Sequence, residues 1–138
     1  RLKGSGRLVV VDRPGNRLQR LIANFKELGK PKPQVIGCAL EVLEHACPEH
    51  GLQVGSMDAV LIDVPCSNTG VIQKRPDVKL RLETADIQKQ AAEQLKLLNL
   101  AAPWVCPGGR LVYSTCSLEE EENAGVVKAP SSHTVSIL

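Results

Sequence analysis

Short apolar runs alternate along the chain with longer segments in which apolar residues recur at helical spacing. The apolar runs predict four strands, at Leu8–Val11, Gln34–Ile36, Ala59–Ile62 and Arg110–Tyr113. The helical spacing predicts two main helices, at Asn16–Leu28 and Thr84–Ala102, and a weaker one at Leu40–Ala46. Because strands and helices alternate, the pattern indicates an α/β fold with a mostly parallel sheet and flanking helices.

Several local signals refine the turns and the helix ends. Gly29 predicts the stop of the first helix, and Pro107-Gly108-Gly109 predicts a turn before the last strand. The segment 117–120 matches a capping box and predicts a helix start, which the acidic run 119–122 would support with no further role. The tail 130–138 is compatible with a strand, a frayed end or a boundary of the sequence. The apolar stripe of the long helix is expected at Ile87, Ala91, Leu95, Leu98 and Ala102.

Composition indicates an ordinary globular protein. A chain of 138 residues, 43% hydrophobic and 23% charged, is expected to form one soluble domain over residues 1–138. A net charge of +2 is compatible with a polyanionic partner without requiring one. Aromatic residues make up only 2% of the chain, so a platform that stacks single-stranded bases is not expected. No apolar run has the length of a bilayer span, so no membrane partner is expected.

The cysteine content bears on compartment and on metal binding. Five cysteines, an odd number without a C-x-x-C spacing, indicate reduced thiols in the cytoplasm, and the charged start of the chain lacks a signal-peptide pattern. His45, Cys47 and His50 form a compact triplet, but their spacing matches no closed four-ligand site. No metal is therefore expected.

The strongest candidates for chemistry are two cysteines that follow predicted strands. Cys66 lies in Asp63-Val64-Pro65-Cys66-Ser67-Asn68-Thr69-Gly70, and Cys116 lies in Tyr113-Ser114-Thr115-Cys116-Ser117. In parallel α/β sheets, chemistry collects at the carboxyl ends of strands, so the two thiols are expected to face one crevice. The predicted helix start after Cys116 is expected to lower the pKa of its thiol. The alternative for each cysteine is a small residue that fills a strand end.

For two further groups of residues, the sequence is compatible with either a binding role or a structural role. Asp12 ends the first predicted strand, where a carboxylate binds ribose hydroxyls in nucleoside-binding folds or simply enters a turn. A basic cluster just beyond the Cys66 loop could hold phosphates or form solvated surface. Its members are Lys74, Arg75, Lys79 and Arg81.

The two cysteine motifs, together with Arg75-Pro76-Asp77 and Glu120-Glu121-Glu122-Asn123, closely resemble the Nol/Nop/Sun family of RNA cytosine-5 methyltransferases. Val9-Val10-Val11-Asp12 resembles that family's ribose-binding strand, and the resemblance runs from about Arg7 to Lys128. It is nearest to the bacterial members that modify ribosomal RNA. The resemblance implies a partial Rossmann-like methyltransferase fold. This segment would lack the first strand and its glycine-rich cofactor loop, so the chain alone is expected to bind the cofactor weakly or not at all.

The resemblance also implies roles for individual residues. Cys116 would attack carbon 6 of a cytosine, Cys66 would help release the product, and Asp63 would hold the ring nitrogen and the exocyclic amine. S-adenosylmethionine would be bound at Asp12, Cys38, Asp63 and Pro65, with Cys38 standing where the family usually has an acid. Ribosomal RNA would be the substrate, contacted by Lys74, Arg75 and Lys79.

Two rival functions use the same residues differently. A cysteine hydrolase would need a histidine base near Cys66 or Cys116, and only His45, His50 and His133 exist in the sequence. A catalytically incomplete segment would act as an RNA-binding or assembly module, a reading that Cys38 favours.

Overall fold

The computed structural model describes residues 6–29, 32–71, 73 and 83–128, together with the backbone of Val135–Ile137. The chain divides into two compact units, Arg1–Leu52 and Gln53–Leu138. Each unit contains a parallel sheet. The parallel pairing confirms the mostly parallel α/β fold that the alternating pattern predicts.

The first unit is a strand–helix–strand arrangement followed by a short helical segment. Strand β1 (Val9–Asp12) precedes helix α1 (Asn16–Leu28) in the sequence, and strand β2 (Gln34–Gly37) follows it. The two strands pair in parallel. A 3-10 turn at Leu40–Val42 leads into helix α2 (Leu43–His50). The bounds of α1 match the prediction, and Gly29 ends the helix at a φ of 74°, which favours a residue without a Cβ. Its core comprises Leu18, Ile36, Leu43, Cys47 and Leu52.

The second unit contains a three-stranded parallel sheet in the order β3-β4-β5. Its strands are β3 (Met57–Asp63), β4 (Val105–Ser114) and β5 (Val135–Ile137), so the tail forms a strand. The long helix α3 (Thr84–Ala101) precedes β4, and the short helix α4 (Ala124–Val127) follows it. In the described part of this unit, 3-10 turns lie at Thr69–Val71, Ala102–Trp104 and Glu120–Glu122.

The residues predicted to turn, 107–109, lie within the bounds of β4, but they bulge out of its ladder: Val105 pairs with Met57, the next pair is Arg110 with Ala59, and Gly108 has a φ of 81°. The register shifts where β4 faces Met57 and Ala59 on β3, so the glycines accommodate an irregularity in the ladder. A Cβ on Gly109 would lie 2.7 Å from a methyl of Val105 and 2.9 Å from the carbonyl oxygen of Asp58. The glycines therefore form a bulge inside β4 and not a turn that precedes the strand.

The buried face of α3 differs from the predicted stripe. Leu98 and Ala101 are buried, and Leu98 was predicted, but the third buried position is the polar Gln94. Gln94 is fully enclosed because its amide has hydrogen-bond partners inside the unit, which are described below. The apolar core beside it includes Trp104, Val105, Leu111 and Val126.

No helix in the described part of the chain is long and apolar enough to cross a membrane.

Replacement of Leu111 by alanine tests the core of the second unit. Leu111 is 0% exposed on β4, so Leu111→Ala is expected to lower the free energy of unfolding by about 2–5 kcal/mol. Leu61→Ala is the matched control, because Leu61 lies on the paired strand β3 and is 64% exposed. Urea unfolding followed by fluorescence of Trp104, the single tryptophan, measures both. Equal losses in the two variants would contradict this core assignment.

Candidate active site

The two cysteines meet beyond the carboxyl ends of β3 and β4. Asp63 and Ser114 are register partners at the last paired positions of these strands, and Cys66 and Cys116 follow them within three residues. Their sulfur atoms lie 2.6 Å apart, and both residues are free cysteines. Cys116 is exposed and Cys66 is partly exposed. The structure thus brings together the two thiols that the sequence places at strand ends.

Asn68 and Gly70 explain why the loop after β3 closes on Cys116. Asn68 has a left-handed φ of 63°, donates a hydrogen bond to the Cys66 carbonyl (3.0 Å) and accepts one from the Cys116 thiol (3.2 Å). The backbone N–H of Gly70 donates to the Cys116 carbonyl at 2.9 Å. A Cβ on Gly70 would lie 2.5 Å from that oxygen, so only glycine permits this approach.

Below the thiols, a layer of buried hydroxyl groups joins the two loops. The hydroxyl oxygens of Ser67 and Ser117 lie 3.0 Å apart. The Thr69 hydroxyl lies 3.2 Å from that of Ser117 and accepts the backbone N–H of Leu118 at 2.8 Å. Ser67, Thr69 and Ser117 are all buried. Each loop therefore presents a cysteine outward and a hydroxyl inward.

Glu122 lies beneath this layer and is 0% exposed. Its Oε1 accepts the backbone N–H of Ser67 at 2.9 Å and the amide of Gln94 at 2.8 Å. Its Oε2 accepts the hydroxyls of Ser117, at 2.5 Å, and Ser67. The expectation that the acidic run only supports a helix start is wrong for this residue. The one sequence signal that could have singled it out was the Glu-Glu-Asn block of the resemblance.

Gln94 and Tyr113 extend the network towards the Cys66 loop. Gln94 also donates to the carbonyl of Pro65 at 2.8 Å, which fixes the backbone just before Cys66. The Tyr113 hydroxyl lies 2.9 Å from Oε1 of Gln94 and 2.8 Å from the carbonyl of Glu122. Burial, followed by the charges of Glu122 and Cys66, raises the pKa of Tyr113 far above its ordinary value, so it acts as a neutral donor.

The expected lowering of the Cys116 pKa is wrong. Burial is the largest cause that raises the pKa of Cys116 to about 11, followed by the hydrogen bond to Cys66, the charge of Cys66 and, last, the charge of Asp63. A backbone hydrogen bond opposes them. The predicted helix start is delayed: residues 115–119 are not helical, the N–H of Glu119 donates to the Ser117 hydroxyl (3.1 Å), and a 3-10 turn begins at Glu120. The favourable field of a helix N-terminus falls off within the first turn, and the turn that begins here is only 3 residues long.

Of the other predicted residues in this unit, Asp63 and Pro65 are exposed at the mouth of the Cys66 loop. The charge of Asp63 reaches Cys116, as the pKa of that thiol shows. Lys74, Arg75, Lys79 and Arg81 lie outside the described residues.

Asp12 and Cys38 lie in the first unit, at the same end of its sheet. Asp12 is the register partner of Gly37, and Cys38 follows directly. The carboxylate of Asp12 accepts the backbone N–H of Arg13 (2.8 Å) and forms an ion pair with Arg17 (3.2 Å). Burial raises the pKa of the Cys38 thiol. Both the turn role and a ligand-binding role of Asp12 are compatible with this placement.

Two members of the triplet His45, Cys47 and His50 make local structural contacts. The Cys47 thiol is buried and donates to the Leu43 carbonyl at 2.7 Å, and the His50 carbonyl accepts hydrogen bonds from Arg7 and Gln34. Among the residues that the structure describes, no group of three His, Cys, Asp or Glu side chains could hold a metal ion.

Comparison with known proteins places this geometry in a family. The model of the 16S rRNA methyltransferase RsmB/F family matches residues 1–135. The chain belongs to this family. The match confirms the Nol/Nop/Sun-type resemblance carried by the two cysteine motifs.

Curated relatives agree with the RsmB/F match. Ribosomal RNA small subunit methyltransferase B from Shewanella oneidensis is 34% identical over 128 residues, which are 93% of this chain and 28% of that protein. Methyltransferase F from Escherichia coli O17:K52:H18 is also 34% identical over 128 residues, covering 93% of this chain and 26% of the relative. The chain thus spans about a quarter of the length of these relatives.

Two solved structures share the fold of this chain. PH0851 superposes with a TM-score of 0.77 at 31% identity, covering 92% of this chain and 28% of that one. NSun6 from Pyrococcus horikoshii, solved with SFG, gives a TM-score of 0.71 at 31% identity, covering 92% and 30%. These matches confirm a partial Rossmann-like methyltransferase fold.

The raised pKa of Cys116 predicts slow alkylation near neutral pH. With a pKa of about 11 against an ordinary 9.0, Cys116 holds about 100-fold less thiolate at pH 8 than an unperturbed thiol. Its alkylation by iodoacetamide, followed by peptide mass spectrometry, is expected to keep rising beyond pH 10. Asp63→Asn should move the profile to lower pH, because loss of a negative neighbour favours the thiolate. A midpoint at or below pH 9 in the unsubstituted chain would contradict this assignment.

Proposed function

We propose that this chain carries the catalytic core of an S-adenosylmethionine-dependent RNA cytosine-5 methyltransferase that acts on ribosomal RNA. The observation that carries the proposal is the contact between Cys66 and Cys116 at the carboxyl ends of β3 and β4, with Asp63 beside them. Membership of the RsmB/F family and the names of the relatives support ribosomal RNA as the substrate. The proposed location of the protein is the cytoplasm, because a ribosomal RNA substrate and free cysteines are both compatible with that compartment.

The described residues fit S-adenosylmethionine in their chemistry. Asp12, at the end of a parallel strand, offers carboxylate oxygens that suit ribose hydroxyls, and Cys38 follows the neighbouring strand. Asp63 and Pro65 are the other residues that the resemblance implies for the cofactor. The SFG in the NSun6 structure is an analogue of this cofactor, which supports the assignment. When bound, the cofactor supplies an electrophilic methyl group.

Cys116 would start the reaction by forming a bond from its sulfur to carbon 6 of the target cytosine. The thiol loses a proton in this step and ring nitrogen 3 gains one, so carbon 5 becomes nucleophilic while the total charge is unchanged. Asp63 would accept hydrogen bonds from nitrogen 3 and from the exocyclic amine. The base must leave its stack to reach these groups.

Cys66 would then release the product. After carbon 5 has gained its methyl group, Cys66 in its thiolate form would take the proton from that carbon and become a neutral thiol. The electron pair of that bond reforms the double bond between carbons 5 and 6, the bond to Cys116 breaks, and nitrogen 3 returns its proton to the Cys116 sulfur. The 2.6 Å sulfur–sulfur contact supports this division, because a base for carbon 5 must lie next to the attacking atom at carbon 6.

The basic cluster would hold the RNA backbone. Lys74, Arg75 and Lys79 follow the Cys66 loop in the sequence, where phosphate contacts would position the flipped base.

The rival hydrolase lacks support in the second unit, since the described part of that unit contains no histidine to serve as base. An RNA-binding or assembly module remains the alternative, favoured by Cys38 at the position where the family usually has an acid.

Substitution of the two cysteines tests the proposed reaction. In the full-length protein that carries this chain, Cys116→Ala is expected to abolish transfer of labelled methyl groups to ribosomal RNA. Cys66→Ala should instead accumulate a covalent protein–RNA adduct, visible as a shifted band in denaturing gels. Cys106→Ala is the matched control, because Cys106 is a partly exposed free cysteine on β4.

Two results would overturn the proposal. If Cys116→Ala accumulates the adduct, and Cys66→Ala is inactive and forms none, then Cys66 is the nucleophile and Cys116 releases the product. RNA binding that survives loss of Cys116, in a protein that methylates no RNA, would favour the binding module.

A further inference from the structure

Glu122 touches neither thiol, yet it contacts both cysteine loops. Ser67 is the neighbour of Cys66 and gives Glu122 its backbone N–H and its hydroxyl. Ser117 is the neighbour of Cys116 and gives its hydroxyl at 2.5 Å. One carboxylate therefore binds the residue that follows each cysteine.

The next residue strengthens the same connection. The amide of Asn123 donates to the carbonyls of Ser117 (2.9 Å) and Glu119 (2.8 Å). Ser117 is therefore bound through its hydroxyl by Glu122 and through its carbonyl by Asn123. On the other side, Gln94 joins Glu122 to the carbonyl of Pro65. The backbone is thus fixed immediately before and after Cys66, and immediately after Cys116.

We propose that Glu122 is a positioning residue for methyl transfer, which holds the thiols of Cys66 and Cys116 in contact by binding Ser67 and Ser117. The catalytic consequence rests on the function proposed above, whereas the positioning itself is a property of the chain. Attack at carbon 6 and proton removal at carbon 5 involve adjacent atoms of one ring. A small displacement of either sulfur would therefore misalign one of the two steps.

Glu122→Gln is a mild variant that tests this role. Both N–H donors converge on Oε1, and both hydroxyls converge on Oε2. An amide with its oxygen at the Oε1 position keeps the N–H bonds but forces the hydroxyls of Ser67 and Ser117 to reverse. The variant should therefore fold while losing the charge-assisted bonds that hold the two serines. Glu121→Gln is the matched control, because Glu121 is the exposed neighbour in the same acidic run.

The first measurement needs no RNA and no cofactor. Diamide takes two hydrogen atoms from Cys66 and Cys116, so that a disulfide forms between them and the diamide is reduced to a hydrazine. The rate of this cross-link, followed by peptide mass spectrometry of the purified chain, reports how often the sulfurs meet. Glu122→Gln is expected to slow it by about tenfold or more, since the cross-link requires direct sulfur–sulfur approach, and Glu121→Gln should leave it unchanged.

The second measurement is methyl transfer in the full-length protein. Glu122→Gln is expected to lower kcat by about 100-fold while the KM for RNA is retained, because the residue acts on the reacting thiols and not on the RNA surface. A residue that only stabilised the fold would lower the unfolding temperature without this split between kcat and KM.

The outcomes separate the two proposals. If folded Glu122→Gln, checked by circular dichroism, cross-links and methylates as Glu121→Gln does, the positioning role is wrong. If Glu122→Gln does not fold, Ser117→Ala takes its place with the same expectations. If cross-linking slows but the unsubstituted protein methylates no RNA, the proposed function fails while the positioning of the thiols is supported.

Discussion

The second unit depends on the burial of one carboxylate. A carboxylate removed from water needs donors to replace the solvent it loses, and Glu122 obtains them from Ser67, Ser117 and Gln94. These residues lie in the loop after β3, in the loop after β4 and on α3. Satisfying Glu122 therefore draws three separate segments to one point. The contact between the cysteines, on the exposed side of the same two loops, follows from that convergence.

The two loops share a simple division between an outer and an inner side. In each loop an accessible cysteine is followed by a buried serine: Cys116 is exposed and Cys66 partly exposed, whereas Ser67 and Ser117 are buried. The outer side carries the groups for chemistry, and the inner side carries the hydrogen bonds that fix them. The close approach of Gly70 to the Cys116 carbonyl joins the same loops through their backbones.

The crowding of the thiols has an electrostatic cost. Partial burial, the neighbouring sulfur of Cys66 and the charge of Asp63 all favour the neutral form of Cys116. The groups proposed to handle the pyrimidine are thus the groups that suppress the thiolate in the free protein. In the proposed reaction this cost is offset when ring nitrogen 3 takes up a proton as the sulfur attacks.

The sequence by itself determined the elements whose signals are local and the motifs that identify the family. The apolar runs indicated the strands, and the spacing with Gly29 defined α1, because side-chain periodicity and a positive φ are properties of short segments. Only the tertiary structure decided which polar groups are buried. The bond between Glu122 and Ser67 spans 55 residues, and that between Glu122 and Gln94 spans 28, so no local pattern contains them. For the same reason the capping-box signal at Ser117 told only part of its role: its hydroxyl accepts the N–H of Glu119 just before a 3-10 turn, but it also bonds to Ser67 and Thr69, which are 50 and 48 residues away.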